Sequence, residues 1–159
     1  MPLVLLRVDE RLIHGQVVLG WGSQLRPDRF IVVDDELAGS GWEQDLYRLG
    51  AGTADVLFTT VAEARARVPE WRAAPERSIL LTRGVLPMLR LARGGLLEGQ
   101  SVNLGGLHDG PGRRRVLTYL HLTEEEGRAL ESLEAEGVSI SARDLPDATR
   151  VPLKSLLAS

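Results

Sequence analysis

The chain has no cysteine. That excludes a disulfide framework, a thiolate metal site and a cysteine nucleophile, and it fits a reducing compartment. Lysine is nearly absent: of 19 basic residues only Lys154 is not arginine, a compositional bias and not a site. Acids number 22, so the formal charge is −3. No basic excess points to nucleic acid, and no acidic tail points to a solvating arm. Aromatics make up 4%. Trp21, Trp42 and Trp71 do not alternate with basic residues, so they build no base-stacking surface. No apolar run reaches ~18 residues, the length of a membrane span. The N-terminus turns charged by Arg7, too early for a signal peptide. What remains is 43% hydrophobic over 159 residues. That is enough for one domain covering 1–159 with a real core, expected in the cytoplasm.

Short apolar runs recur, each ending in a polar turn: 3–8, 30–35, 55–60, 78–84 and 101–106. Their length and Val/Ile/Leu content suit buried strands. Helical spacing lies between them, over 15–25, 42–49, 61–68 and 86–92. Thr60 with Glu63 makes a capping box for the third of these helices, and Thr123 with Glu126 makes one for a later helix reaching about Glu136. Gly137 stops that helix. Residues 116–122 alternate and are read as one partly exposed strand. VSISARDL is read as the last strand, and 152–157 as a terminal helical turn. The alternation predicts an α/β fold: an open, mainly parallel central sheet flanked by helices, with an antiparallel strand toward the C-terminal end.

Ligands of open α/β sheets sit beyond the carboxyl ends of the strands. The first strand runs into RVDERLIHGQVV, residues 7–18. His14 there stands on a loop beside a helix N-terminus. The amides following Gly15, those of Gln16 and Val17, suit an anion. Arg7 and Arg11 offer forked donors to phosphate oxygens, and Asp9 can fix the imidazole tautomer. A charged turn with intraloop ion pairs would have the same composition.

That segment resembles the R-[IV]-D-x-R-L-I-H-G-Q-V block of the mannose/fructose/sorbose family of phosphotransferase-system (PTS) enzyme IIB. VDDE (33–36), NLGG (103–106) and GGLHDGPGRRRV (105–116) resemble later motifs of the same family, so the likeness covers nearly the whole chain. It implies a phosphocarrier with a mainly parallel α/β fold. Such a protein accepts a phosphoryl group from phosphorylated enzyme IIA onto the histidine matching His14, at Nδ1. It then passes the group to a sugar moved by the membrane components IIC and IID, beside which it works peripherally. No metal and no cofactor are implied.

Other strand ends supply rim candidates. Asp34 and Asp35 are expected to orient Arg7 or Arg11 or to cap the next helix. Thr59 could donate to phosphate, and Arg83 is a third cationic candidate or a surface charge. Gly105 and Gly106 either let backbone approach the loop or form a plain turn. His108 and His121 lack metal-ligand spacing. The 116–122 strand is compatible with an edge-to-edge homodimer. Two other readings stand beside the phosphocarrier: a regulatory phosphoacceptor of the same fold without a transport role, and a non-catalytic α/β ligand-binding module. The lack of G-x-x-x-x-G-K-[ST] disfavours the last.

Overall fold

The computed structural model describes residues 2–158. All five early apolar runs form strands: β1 (Leu3–Val8), β2 (Arg29–Val33), β3 (Asp55–Thr59), β4 (Ser78–Thr82) and β5 (Ser101–Leu104). Later strands are β6 (Arg114–Leu117), β7 (Leu120–Leu122), β8 (Ser139–Ala142) and β9 (Val151–Pro152). Seven of them make one sheet in the order β3-β2-β4-β1-β5-β8-β9. Only β9 runs antiparallel to its neighbour, closing the edge beside β8.

Helices cover the sheet because alternate strand residues are apolar on both faces. One core gathers Leu6, Val8, Ile31, Val33 and Leu80 under α3 (Val61–Ala73), α4 (Val85–Ala92) and α5 (Glu124–Ala135). The other gathers Phe30, Val32, Ile79 and Leu81 with Leu12, Ile13 and Val17 from the segment after β1, and Tyr47 of α2 (Gly41–Gly50) packs against it. Both capping boxes form as expected, with each threonine accepting from the glutamate N–H three residues on.

Four expectations change. The helix expected over 15–25 is a π-helical turn, Gln16–Trp21, continued by α1 (Gly22–Leu25). Gly20 and Gly22 leave little side-chain bulk in that stretch, and at Gly20 a side chain would meet Leu145 at 2.8 Å. The strand expected over 116–122 is instead a separate hairpin, β6 with β7, turning between Leu117 and Leu120. Alternation runs through the turn without a glycine to mark it, so the pattern mimicked one strand. The hairpin is not an edge of the large sheet. The third helix extends past Val68 through Pro69 to Ala73, because fully buried Trp71 holds its last turn. Finally, β8 is not the last strand, since Val151–Pro152 pairs with it before α6 (Leu153–Leu156) begins.

β1 lies between β4 and β5. Its own connection leads toward β2 on one side, while that of β5 leads toward β8 on the other. The carboxyl end of β1 is therefore a topological switch point, where an open α/β sheet leaves a crevice.

Candidate functional site

Just beyond β1 the chain turns sharply. The N–H of Leu12 bonds the carbonyl of Asp9 at 3.0 Å, and Leu12 adopts a left-handed backbone with φ of 55°. That conformation costs an L-residue roughly 1–2 kcal/mol. Full burial of the Leu12 side chain returns roughly 1.5–3 kcal/mol. Ile13 and Val17 bury beside it, so apolar anchors flank His14 on both sides. His14 then closes back on the turn, and its carbonyl accepts from the Val18 N–H at 2.9 Å.

Asp9 is the centre of the arrangement and is fully buried. Its Oδ2 accepts from His14 Nε2 at 3.1 Å, from Arg11 Nη2 at 3.1 Å and from Arg7 Nη2 at 3.2 Å. Its Oδ1 accepts from the Arg11 backbone N–H at 3.0 Å and from Arg11 Nε at 3.1 Å. Burial alone would raise the Asp9 carboxyl. The hydrogen bonds from His14 and Arg11 and the charge of Arg7 more than reverse that, and hold it well below the ordinary carboxylate range. An ionised carboxylate can only accept, so Nε2 carries a proton, and in the neutral imidazole Nδ1 is the nitrogen with the lone pair. The ring is 16% exposed, open to solvent on one side.

The two arginines do different work. Arg7 is wholly buried, and burial lowers its guanidinium against the pull of Asp9. Besides Asp9 it donates to Asn103 Oδ1, to the Arg143 carbonyl at 2.9 Å and to the Asp144 carbonyl at 3.2 Å. The Trp21 ring lies 5.5 Å from its Cζ. With its donors committed, Arg7 positions Asp9 and touches nothing outside. Arg11 is 35% exposed and gives Nη2 to Gln16 Oε1 at 2.9 Å, so its fork is held at the surface beside the ring. Two guanidinium groups thus face the one carboxylate that holds the ring, leaving a local excess of positive charge.

Gly105 and Gly106 roof this cluster. A Cβ on Gly105 would fall 2.5 Å from Arg7 Cζ and 2.6 Å from Asp9 Oδ2, and one on Gly106 would fall 2.9 Å from Arg11 Nη2. These glycines are close-approach residues, and the plain-turn reading gives way. The NLGG segment is held in place by backbone bonds from Gly105 N–H to Val8 and from Glu10 N–H to Gly106, at 2.7 and 3.0 Å.

The family model of PTS system sorbose subfamily IIB components matches residues 3–159. The chain belongs to this family. Among similar proteins, the N-acetylgalactosamine-specific phosphotransferase enzyme IIB component 2 of Escherichia coli is 31% identical over 161 residues, covering 99% of this chain and all (100%) of that one. The mannose-specific EIIAB component of Escherichia coli is 29% identical over 161 residues, and this chain spans only 49% of it. The crystal structure of manxB from Thermoanaerobacter tengcongensis superposes with a TM-score of 0.86 at 27% identity, over 98% of this chain and 95% of that one.

Within this IIB chain the sequence candidates divide. His14, Arg7, Asp9, Arg11 and Gln16 come together, and Gly15 begins the helical turn with open space at its Cα. Asp35 and Arg83 are bonded elsewhere, and Thr59 does not join the cluster. Asp35 caps α3 through the Val61 N–H at 2.8 Å, so of its two expected roles it takes the capping one and does not orient an arginine of the cluster. Arg83 pairs with Asp34 at 3.2 Å, and Asp34 also caps the turn at Glu36 and Leu37. Thr59 Oγ1 is buried with no hydrogen-bond partner. Sequence reasoning missed Asn103, Trp21 and the carbonyls of Arg143 and Asp144. The Asn103 signal was present, since its strand runs straight into the two glycines. The carbonyls carry no residue-type signal. Among the described residues no helix is long and apolar enough to cross a membrane, and no group of three or more histidines and acids could hold a metal ion.

Proposed function

We propose that this IIB component is a phosphocarrier in which His14 Nδ1 is the acceptor atom. The bond between phosphorus and the histidine nitrogen of phosphorylated enzyme IIA breaks as the His14 Nδ1–P bond forms. In the second step a sugar hydroxyl, presented through IIC and IID, attacks phosphorus. The Nδ1–P bond breaks, the hydroxyl proton is released, and His14 returns to neutral imidazole. Little covalent machinery is needed, so catalysis is positioning and charge stabilisation. Asp9 holds the ring and takes up its growing positive charge through Nε2–H. Arg11 faces the phosphoryl oxygens, and Arg7 keeps Asp9 in place. Each charge-assisted bond to the phosphoryl group contributes roughly 1.5–3 kcal/mol.

The observation that carries this reading is the Asp9–His14 Nε2 bond, which leaves Nδ1 as the one nucleophilic nitrogen. The test is incubation with phosphorylated IIA and mapping of an acid-labile, base-stable adduct. Labelling on His14, abolished in His14→Ala with an unchanged circular dichroism spectrum, is expected. Labelling on His108 or His121 would overturn the assignment.

A further inference from the structure

A cleft of about 310 Å³ opens between the 16–25 helical segment and strands β1, β5 and β8. Neither His14 nor Asp9, Arg11 or Gln16 lines it; it lies beside the phosphoryl site and shares Asn103, Trp21 and Arg143 with the surroundings of Arg7. Two arginines line it, Arg143 and Arg150, and no carboxylate does. Neither arginine makes a salt bridge among the described residues, and Arg143 Nε is buried with no hydrogen-bond partner. Elsewhere in this chain a buried guanidinium is fully engaged, as Arg7 is. A buried donor without a partner, beside a second cation that has no ion pair, suits an anion.

The rest of the lining is polar in a different way. Gln24, Ser101, Asn103 and Ser141 bring amides and hydroxyls to the same cleft. These groups both donate and accept, which suits a body rich in hydroxyls. The volume lies at the lower end of the ~300–1,000 Å³ typical of small-molecule sites. We propose that this cleft binds a small phosphate monoester with a hydroxylated body, a sugar phosphate, with its phosphate on Arg143 and Arg150. Bound there, the ligand adjoins the loop that holds the phosphoryl site. The Arg143 guanidinium stacks 5.1 Å from the Trp21 ring, and the Trp21 N–H shares the Asp144 carbonyl with Arg7. The inference does not depend on His14 being the acceptor.

The full-length, unphosphorylated chain is titrated with glucose 6-phosphate, glucose and inorganic phosphate and followed by amide and indole NMR. Glucose 6-phosphate should shift Ser101, Ser141 and the Trp21 indole N–H saturably, and glucose and inorganic phosphate should each bind at least about tenfold more weakly. Arg150→Gln, at an exposed position, should keep the wild-type Tm and His14 labelling and weaken glucose 6-phosphate about tenfold, the loss of one charge-assisted bond. Equal binding of inorganic phosphate, shifts confined to residues 9–17, or an unchanged affinity in Arg150→Gln would each overturn the proposal.

Discussion

Asp9 accepts a hydrogen bond from His14 through the same oxygen that meets both Arg7 and Arg11. One buried atom therefore sets the tautomer of the ring and the positions of two cations. Damage to Asp9 should show in the chemistry and in the fold together, whereas damage at the periphery should separate them.

Regiochemistry is the sharpest consequence. In the wild-type chain the phosphoryl group should sit on Nδ1 alone, read by phosphorus–nitrogen coupling in ring-labelled protein. Asp9→Asn should slow acceptance at least tenfold, because an amide neither stabilises the growing imidazolium nor enforces the tautomer. An adduct on Nε2 in the wild type would contradict the geometry.

Asp9→Asn should also destabilise the fold by roughly 3–5 kcal/mol at neutral pH, since the buried Arg7 loses its counter-charge. The pH dependence has a definite sign. A carboxyl whose folded value is depressed contributes stability that is complete above its unfolded value, near ~3.9, and is lost as pH falls toward the folded value. The Tm gap between wild type and Asp9→Asn should be flat from pH 8 to 5 and shrink below about pH 4. A gap that holds constant to pH 3 would show that Asp9 is not the acid-sensitive group.

Arg11 should dissociate chemistry from stability. It is one-third exposed, so Arg11→Ala should cost under ~1 kcal/mol in chemical denaturation. Its transfer rate, or the lifetime of the phosphorylated form, should nevertheless fall about tenfold, with Arg11→Lys restoring little because the fork is lost. A wild-type rate and lifetime in Arg11→Ala would reduce this arginine to surface charge.

The two glycines should differ from each other. Gly105→Ala drives a methyl into Arg7 and Asp9, groups fixed by burial, and should cost roughly 1–3 kcal/mol as overpacking does. Gly106→Ala meets the end of the partly exposed Arg11 side chain, which can move. That variant should keep its stability and lose transfer rate. Denaturation curves beside phosphoryl labelling distinguish the two.

Much of this was legible in the sequence for reasons that can be named. Five strands, four of them mostly buried and β3 a half-buried edge, announced themselves as short apolar runs, and both capping boxes fell where threonine and glutamate stand three apart. The cluster around Asp9 was legible because it is local: Arg7, Asp9, Arg11, His14 and Gln16 share one turn. What escaped was contact across the chain. Asp35, Thr59 and Arg83 looked eligible because they end strands, but a strand end fixes only the edge of the sheet, and each side chain found a nearer partner or none. The 114–122 hairpin was hidden because a reversal that keeps the alternation leaves no trace in residue pattern.

Arg7 donates to carbonyls 136 and 137 positions later in the chain. During synthesis, at ~5–20 residues per second, that interval lasts on the order of ten seconds. Throughout it the Arg7 guanidinium lacks the Arg143 and Asp144 carbonyls that fill its outer donors, and Asp9 lacks a fully braced partner. Asp9 and His14 lie at the early end of that interval, and the carbonyls that brace Arg7 lie at its late end. The Asp9 cluster is thus complete only once β8 and the two residues after it are in place beside β5.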